Sequence, residues 1–159
     1  MTHFVYPVRL SYDEDERVLV EFPDFPFAVT DGAEVAEALT QASDCLEEAL
    51  AYYITDGEPI PEPSQVRRGS DDWIATVAPG PVIAAKAALY QAVRDAGLTK
   101  VALAACLGVD EKDVRRMLDP RYATKIPALD RALTALGKRL EIEVRDAPTP
   151  PTTAPRTAA

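Results

Sequence analysis

The stretch Thr99-Lys100-Val101-Ala102-Leu103-Ala104-Ala105-Cys106-Leu107-Gly108-Val109-Asp110-Glu111-Lys112-Asp113-Val114-Arg115-Arg116-Met117-Leu118 decides the reading of the C-terminal half. Two helices that cross through a tight turn need a small residue where their backbones approach, and Ala104 supplies it. The turn needs a residue tolerant of positive φ, and Gly108 follows at the right spacing. Leu103, Leu107, Val109, Val114 and Leu118 are placed to close a shared core, and Asp110 stands where an N-cap belongs. The pattern predicts a helix-turn-helix. Its second helix carries Lys112, Arg115 and Arg116 away from Val114, and arginine is the commonest reader of guanine in the major groove. Thr99 and Lys100 before it, and Arg121, Thr124 and Lys125 after it, are candidate phosphate anchors. A helical bundle with a solvated basic face would show a similar pattern, and Glu111 and Asp113 favour that plainer alternative. The Ala–Gly–Val spacing and the local positive charge favour DNA.

Working outward, helices are expected over roughly 83–96, 99–107, 110–118 and 126–136. A final strand is expected where Leu140, Ile142 and Val144 alternate with Glu141, Glu143 and Arg145. The Pro/Thr/Ala tail from Ala147 to Ala159 has nothing to bury and is expected to be disordered. Upstream, Pro79-Gly80-Pro81 breaks the pattern. Before it, Phe4, Tyr6, Val8 and Leu10 fall on one side of a strand, and Val18, Val20 and Phe22 on one side of a second. Asp13–Glu16 is the turn between them. The prolines of Phe22-Pro23-Asp24-Phe25-Pro26-Phe27 exclude a central strand and leave a loop with aromatics, leading into a short strand near Ala28–Thr30. Val35, Leu39, Ala42, Leu46, Ala49, Leu50 and Tyr53 mark one face of a long helix that stops at Asp56-Gly57. Trp73–Val77 is a fourth strand. The expected class is α+β: a βββαβ domain over 1–78, a linker at 79–81, an all-α helix-turn-helix domain with a C-terminal strand over 82–146, and a tail at 147–159.

Charge follows the same division. Residues 1–80 hold four arginines against seventeen acids, a net of −13, whereas residues 81–146 hold twelve Lys and Arg against nine acids, a net of +3. An acidic module joined to a basic one suits a basic protein at one end and nucleic acid at the other. Asp13, Asp15, Glu21, Asp24 and Asp31 could in principle gather metal for phosphodiester hydrolysis, but no spacing makes them converge. One histidine, His3, supports neither a catalytic group nor a ligand cluster. No metal, cofactor or catalytic residue is expected, and the chain is read as a non-enzyme. Cys45 and Cys106 are expected as buried free thiols. No apolar run approaches the roughly 20 residues of a membrane helix, and no secretory signal stands at the start, so a cytoplasmic protein without membrane contact is expected. The acidic half is read as a surface for a basic protein, with Glu21, Asp24 and Asp31 as charges and Phe22, Phe25 and Phe27 as apolar anchors. For each phenylalanine, core packing is an equal alternative.

Several of these runs are familiar together. Tyr6-Pro7-Val8, the acidic turn, Val20-Glu21-Phe22-Pro23-Asp24-Phe25-Pro26 and Val29-Thr30-Asp31-Gly32 resemble the HicB family of antitoxins. So do Glu34, Ala38 and Leu39 of the long helix, and Gly57-Glu58-Pro59-Ile60-Pro61-Glu62-Pro63-Ser64. In the C-terminal half, Leu107-Gly108-Val109 and Ala132-Leu133-Thr134-Ala135-Leu136-Gly137-Lys138-Arg139-Leu140 are similar to the helix-turn-helix version of that family. The resemblance implies a partial RNase H-like N-terminal domain without nuclease activity, covering a HicA-type toxin, a small basic RNA-cleaving protein. It also implies a C-terminal domain that binds the promoter of its own operon as a homodimer or higher homo-oligomer. Two positions depart from the family pattern: Phe27-Ala28 replaces a usual Gly and Cys, and Asp15-Glu16-Arg17 replaces a usual Asp-Gly-Gly. A ligand-sensing transcriptional regulator is the alternative reading.

Overall fold

Alternation in the first twenty residues becomes a hairpin in the computed structural model, which describes residues 3–65, 73–144 and 146. Strand β1 spans Tyr6–Tyr12 and β2 spans Val18–Glu21, paired antiparallel with Leu10 opposite Val20 and Tyr12 opposite Val18. Asp13 closes the turn. Its backbone N–H donates to the Arg17 carbonyl at 3.0 Å, and its Oδ1 accepts from the N–H groups of Asp15 and Arg17 at 2.9 and 2.8 Å. Glu16 takes the left-handed conformation at φ 61°, where three-residue hairpin loops usually place glycine. The acidic run therefore makes a tight turn, held by the Asp13 carboxylate.

Strand β3 (Val29–Gly32) pairs antiparallel with β2, and β4 (Ile74–Val77) pairs antiparallel with β1, giving a four-stranded sheet in the order β3-β2-β1-β4. Period-two alternation puts Tyr6, Val8, Leu10, Val18 and Val20 on the covered face, all nearly or fully buried. Helix α1 (Val35–Asp56) lies against that sheet. Ser43 Oγ donates to the Ala78 carbonyl beyond β4 at 2.9 Å, and the Cys45 thiol points to the Val29 carbonyl of β3. Ala42, Leu46 and Ala49 of the expected face are buried, but in the first turns Ala38 takes the buried place, with Val35 and Leu39 half-buried. Ala38 is the residue that Gly32 approaches. A Cβ on Gly32 would come within 2.7 Å of the Ala38 Cα, so strand end and first helical turn approach through their two smallest residues.

The described contacts divide the chain into two units. One comprises the sheet with α1 as far as Ala49 and Pro61–Pro79. The other comprises Leu50–Ile60 and Gly80–Val144, so the last turns of α1 belong with the C-terminal helices. Those helices are α2 (Pro81–Asp95), α3 (Lys100–Leu107), α4 (Glu111–Leu118) and α5 (Ile126–Ala135). Their core holds Leu50, Ile54 and Ile60 with Leu89, Leu103, Val114, Leu129, Ala132 and Leu133. The end of α1 is tied to α2 by polar bonds: the Tyr90 hydroxyl donates to the Glu58 carbonyl at 2.8 Å, and the Arg94 guanidinium donates to the Gly57 carbonyl.

One expected element is missing. Residues 140–144 form no strand, and Ile142 and Val144 are 63% and 93% exposed. A strand needs a ladder partner, and the helical unit offers none among its described residues. Arg145 and the tail from Ala147 lie outside the described residues. The expected burial of both thiols also fails: Cys45 is half-buried, and Cys106 is exposed because it falls off the α3 face that carries Leu103 and Ala104.

Candidate DNA-binding and protein-binding surfaces

Helices α3 and α4 meet through Gly108, which adopts φ 64° and ψ 34°. There the Val109 N–H reaches back to the Ala104 carbonyl at 3.1 Å and the Gly108 N–H to the Ala105 carbonyl at 3.3 Å, satisfying the exposed helix end. Thr99 caps α3, its Oγ1 accepting from the Ala102 N–H at 3.1 Å. Asp110 precedes α4 as expected, but its side chain makes no cap bond; its backbone carbonyl accepts from Asp113 and Val114 instead. Leu103, Ala104, Val114 and Leu118 are buried, Leu107 is half-buried, and Val109 is 40% exposed, so Val109 is not in the shared core. It sits past the turn, where its backbone and not its side chain closes the motif.

The 3.6-residue period puts Lys112 and Arg116 on the side opposite Val114, with Arg115 on the flank. Lys112 and Arg115 are exposed and Arg116 is half-exposed. Both acids on α4 are engaged by these arginines. Arg115 donates to Glu111 Oε1 through Nη2 at 2.7 Å and Nε at 3.0 Å, and Arg116 Nη1 lies 3.7 Å from Asp113 Oδ1. The Arg116 guanidinium also stands 5.3 Å from the centre of the Tyr122 ring. Exposed pairs of this kind are worth only about 0.3–0.5 kcal/mol, so they orient the arginines without locking them away from a phosphate or base. Lys100, Arg121 and Lys125 are exposed. Thr124 is not a free anchor: its hydroxyl accepts from Lys86 Nζ at 2.9 Å and lies 3.5 Å from the Arg116 carbonyl.

Lys86 is the residue that sequence reasoning missed. It is 1% exposed, and its ammonium donates to the Asp119 carbonyl at 2.5 Å, Thr124 Oγ1 at 2.9 Å and the Arg116 carbonyl at 3.3 Å. Burial pushes its pKa below the ordinary lysine value, with the Asp119 carboxylate opposing that shift. The available signal was its position on the apolar stripe of Ile83, Tyr90 and Val93. A lysine there ordinarily extends its ammonium into water, which hides the clue.

In the sheet unit the expected protein-binding residues separate. Phe22 and Phe25 are 2% and 0% exposed. The Phe25 ring makes edge-type contacts with Tyr6, centroids 4.8 Å apart, and with Phe22 at 6.3 Å. They are core residues, because Pro23 and Pro26 shape a tight loop, closed by the Phe25-to-Phe22 and Ala28-to-Phe25 backbone bonds, that turns both rings inward. Phe27 points out at 56% exposure, next to Val29 at 49%. Glu21 is exposed and lies opposite Val29 in the ladder. Asp24 accepts from the Ser64 N–H at 3.1 Å, and Asp31 pairs with Arg17. The edge formed by β3 and the end of β2 thus carries Glu21, Phe27 and Val29, with Asp24 and Asp31 tied to neighbours. Among the described residues no cluster of His, Cys, Asp and Glu is arranged to hold a metal ion. No described helix is long and apolar enough to cross a membrane.

A family model described as a HicB-like antitoxin of bacterial toxin–antitoxin systems matches residues 5–74. Antitoxin HicB 1 of Photorhabdus laumondii subsp. laumondii is 35% identical over 139 residues, covering 87% of this chain and 86% of that protein. The chain belongs to the HicB family of antitoxins. Antitoxin HicB of Escherichia coli is 36% identical over 137 residues, covering 86% of this chain and 96% of that one. An aligned span of that length must run through α3 and α4, so the likeness to HicB proteins extends beyond the sheet unit. A chain of a solved toxin–antitoxin complex from Streptococcus pneumoniae superposes with a TM-score of 0.41 at 24% identity, over 48% of this chain and 68% of that one.

Proposed function

We propose that the chain neutralises a HicA-type RNA-cleaving toxin by covering its active site, and that it represses its own operon by binding operator DNA. In this reading the sheet unit is the partial RNase H-like, non-enzymatic toxin-binding half. Helices α3 and α4 are the helix-turn-helix, with α4 entering the major groove. The toxin half is supported by the acidic residues 1–80, whose net charge of −13 complements a basic protein, and by the exposed Phe27 and Val29 on the β3 edge. The observation that carries the DNA half is the set of cations Lys112, Arg115 and Arg116 on a helix whose Val114 and Leu118 are buried. Operator binding calls for two copies, and the exposed alternation at Leu140–Val144 suits a strand that pairs only when a second copy supplies its ladder.

The full chain tests both halves. Co-expression with a small basic toxin encoded beside it restores growth. Phe27→Asp combined with Glu21→Lys abolishes that rescue while operator binding persists. Arg115→Ala with Arg116→Ala does the reverse. Failure of the unaltered chain to restore growth overturns the toxin half, and undiminished operator binding by the double arginine variant overturns the DNA half.

A further inference from the structure

We infer that Lys86 of α2 is the positioning residue for the DNA-reading surface, a single buried ammonium that fixes α4 and the loop after it in one orientation. The inference rests on the proposed DNA-binding role of α4. Its three hydrogen bonds reach two places at once. The Arg116 and Asp119 carbonyls belong to the last turn and C-terminal end of α4, where carbonyls lack helical partners, and Thr124 belongs to the loop leading to α5. The exposed Arg115, Arg121 and Lys125 and the half-exposed Arg116 are carried on backbone that this ammonium holds. The last turn of a helix is also where a cation is favoured by the helix dipole.

Sequence-specific readout depends on orientation, because a guanidinium must meet base edges with its donors aligned. Non-specific attraction depends mainly on how many cations face the duplex. Lys86 is buried and touches no base or phosphate itself. Replacing it with methionine keeps the volume and leaves every exposed cation in place, while the two carbonyls and Thr124 lose their donor. Orientation should therefore fail while charge survives.

The experiment measures operator and random-sequence DNA binding by the full-length chain, as wild type, Lys86→Met and Thr124→Val. For Lys86→Met, operator affinity falls by roughly tenfold or more, the scale of a lost bidentate base contact, while random-sequence affinity and its salt slope change by less than about twofold. Thr124→Val, which keeps the lysine and removes one acceptor, shifts the same ratio in the same direction by a smaller factor. Amide exchange then quickens between Met117 and Lys125 while the sheet unit keeps its protection. If Lys86→Met does not fold, Thr124→Val decides: an unchanged operator-to-random ratio overturns the clamp. Equal loss on both DNAs also overturns it, since that is what general destabilisation produces. Absence of operator binding by the wild type strikes instead at the DNA-binding role itself.

Discussion

Gly32 and Ala38 set how closely the sheet and its helix approach, and a Cβ at Gly32 has no free space. A Cβ on Gly32 would press on backbone atoms of Ala38, which cannot swing aside as a flexible side chain could. Gly32→Ala is expected to lower unfolding stability by about 1–3 kcal/mol, measured by denaturant titration, without altering the exposed edge. A neutral result would mean that α1 can slide on the sheet. Residue-level chemistry also separates three phenylalanines that look equivalent in the sequence. Phe25 packs against both Tyr6 and Phe22, and of the three only Phe27 is exposed. The two cysteines differ in the same way: burial pushes the Cys45 thiol above its ordinary pKa, whereas Cys106 stands in the open.

Among the elements, the helices were the most legible. Gly, Pro and Thr signals around 83–136 bracket α2 to α5 within a few residues, because caps and stops act through the local backbone. The turn at Gly108 was readable for the same reason. The Leu140–Val144 strand was not decided locally, since alternation shows only that a segment could pair, and pairing needs a neighbour. The proposed dimer supplies one. Ile142→Lys with Val144→Lys is expected to change unfolding stability by less than about 0.5 kcal/mol, because both positions are exposed in the single chain. The same variant is expected to weaken self-association and operator binding, read by light scattering and by titration with DNA. Intact self-association in that variant would remove this segment from the dimer.

Across the molecule, charge is divided by position. An acidic first half and a basic second half predict opposite partners, and each attraction weakens as salt screens it. Operator affinity is expected to fall by roughly a thousandfold between about 50 and 200 mM salt if about six phosphates are neutralised. Near-constant affinity across that range would contradict phosphate anchoring by Lys100, Lys112, Arg121 and Lys125. The four strands, the long helix and the helix pair followed from periodicity and turn residues, and the family likeness followed from short proline-bearing runs. These signals lie within a few residues of one another along the chain, so they survive without any knowledge of what packs where. Burial is different. That Lys86 is enclosed, that Phe25 turns inward while Phe27 faces out, and that Ile142 finds no ladder partner among the described residues depend on which distant segments come to cover each side chain. Only the assembled fold brings those segments together.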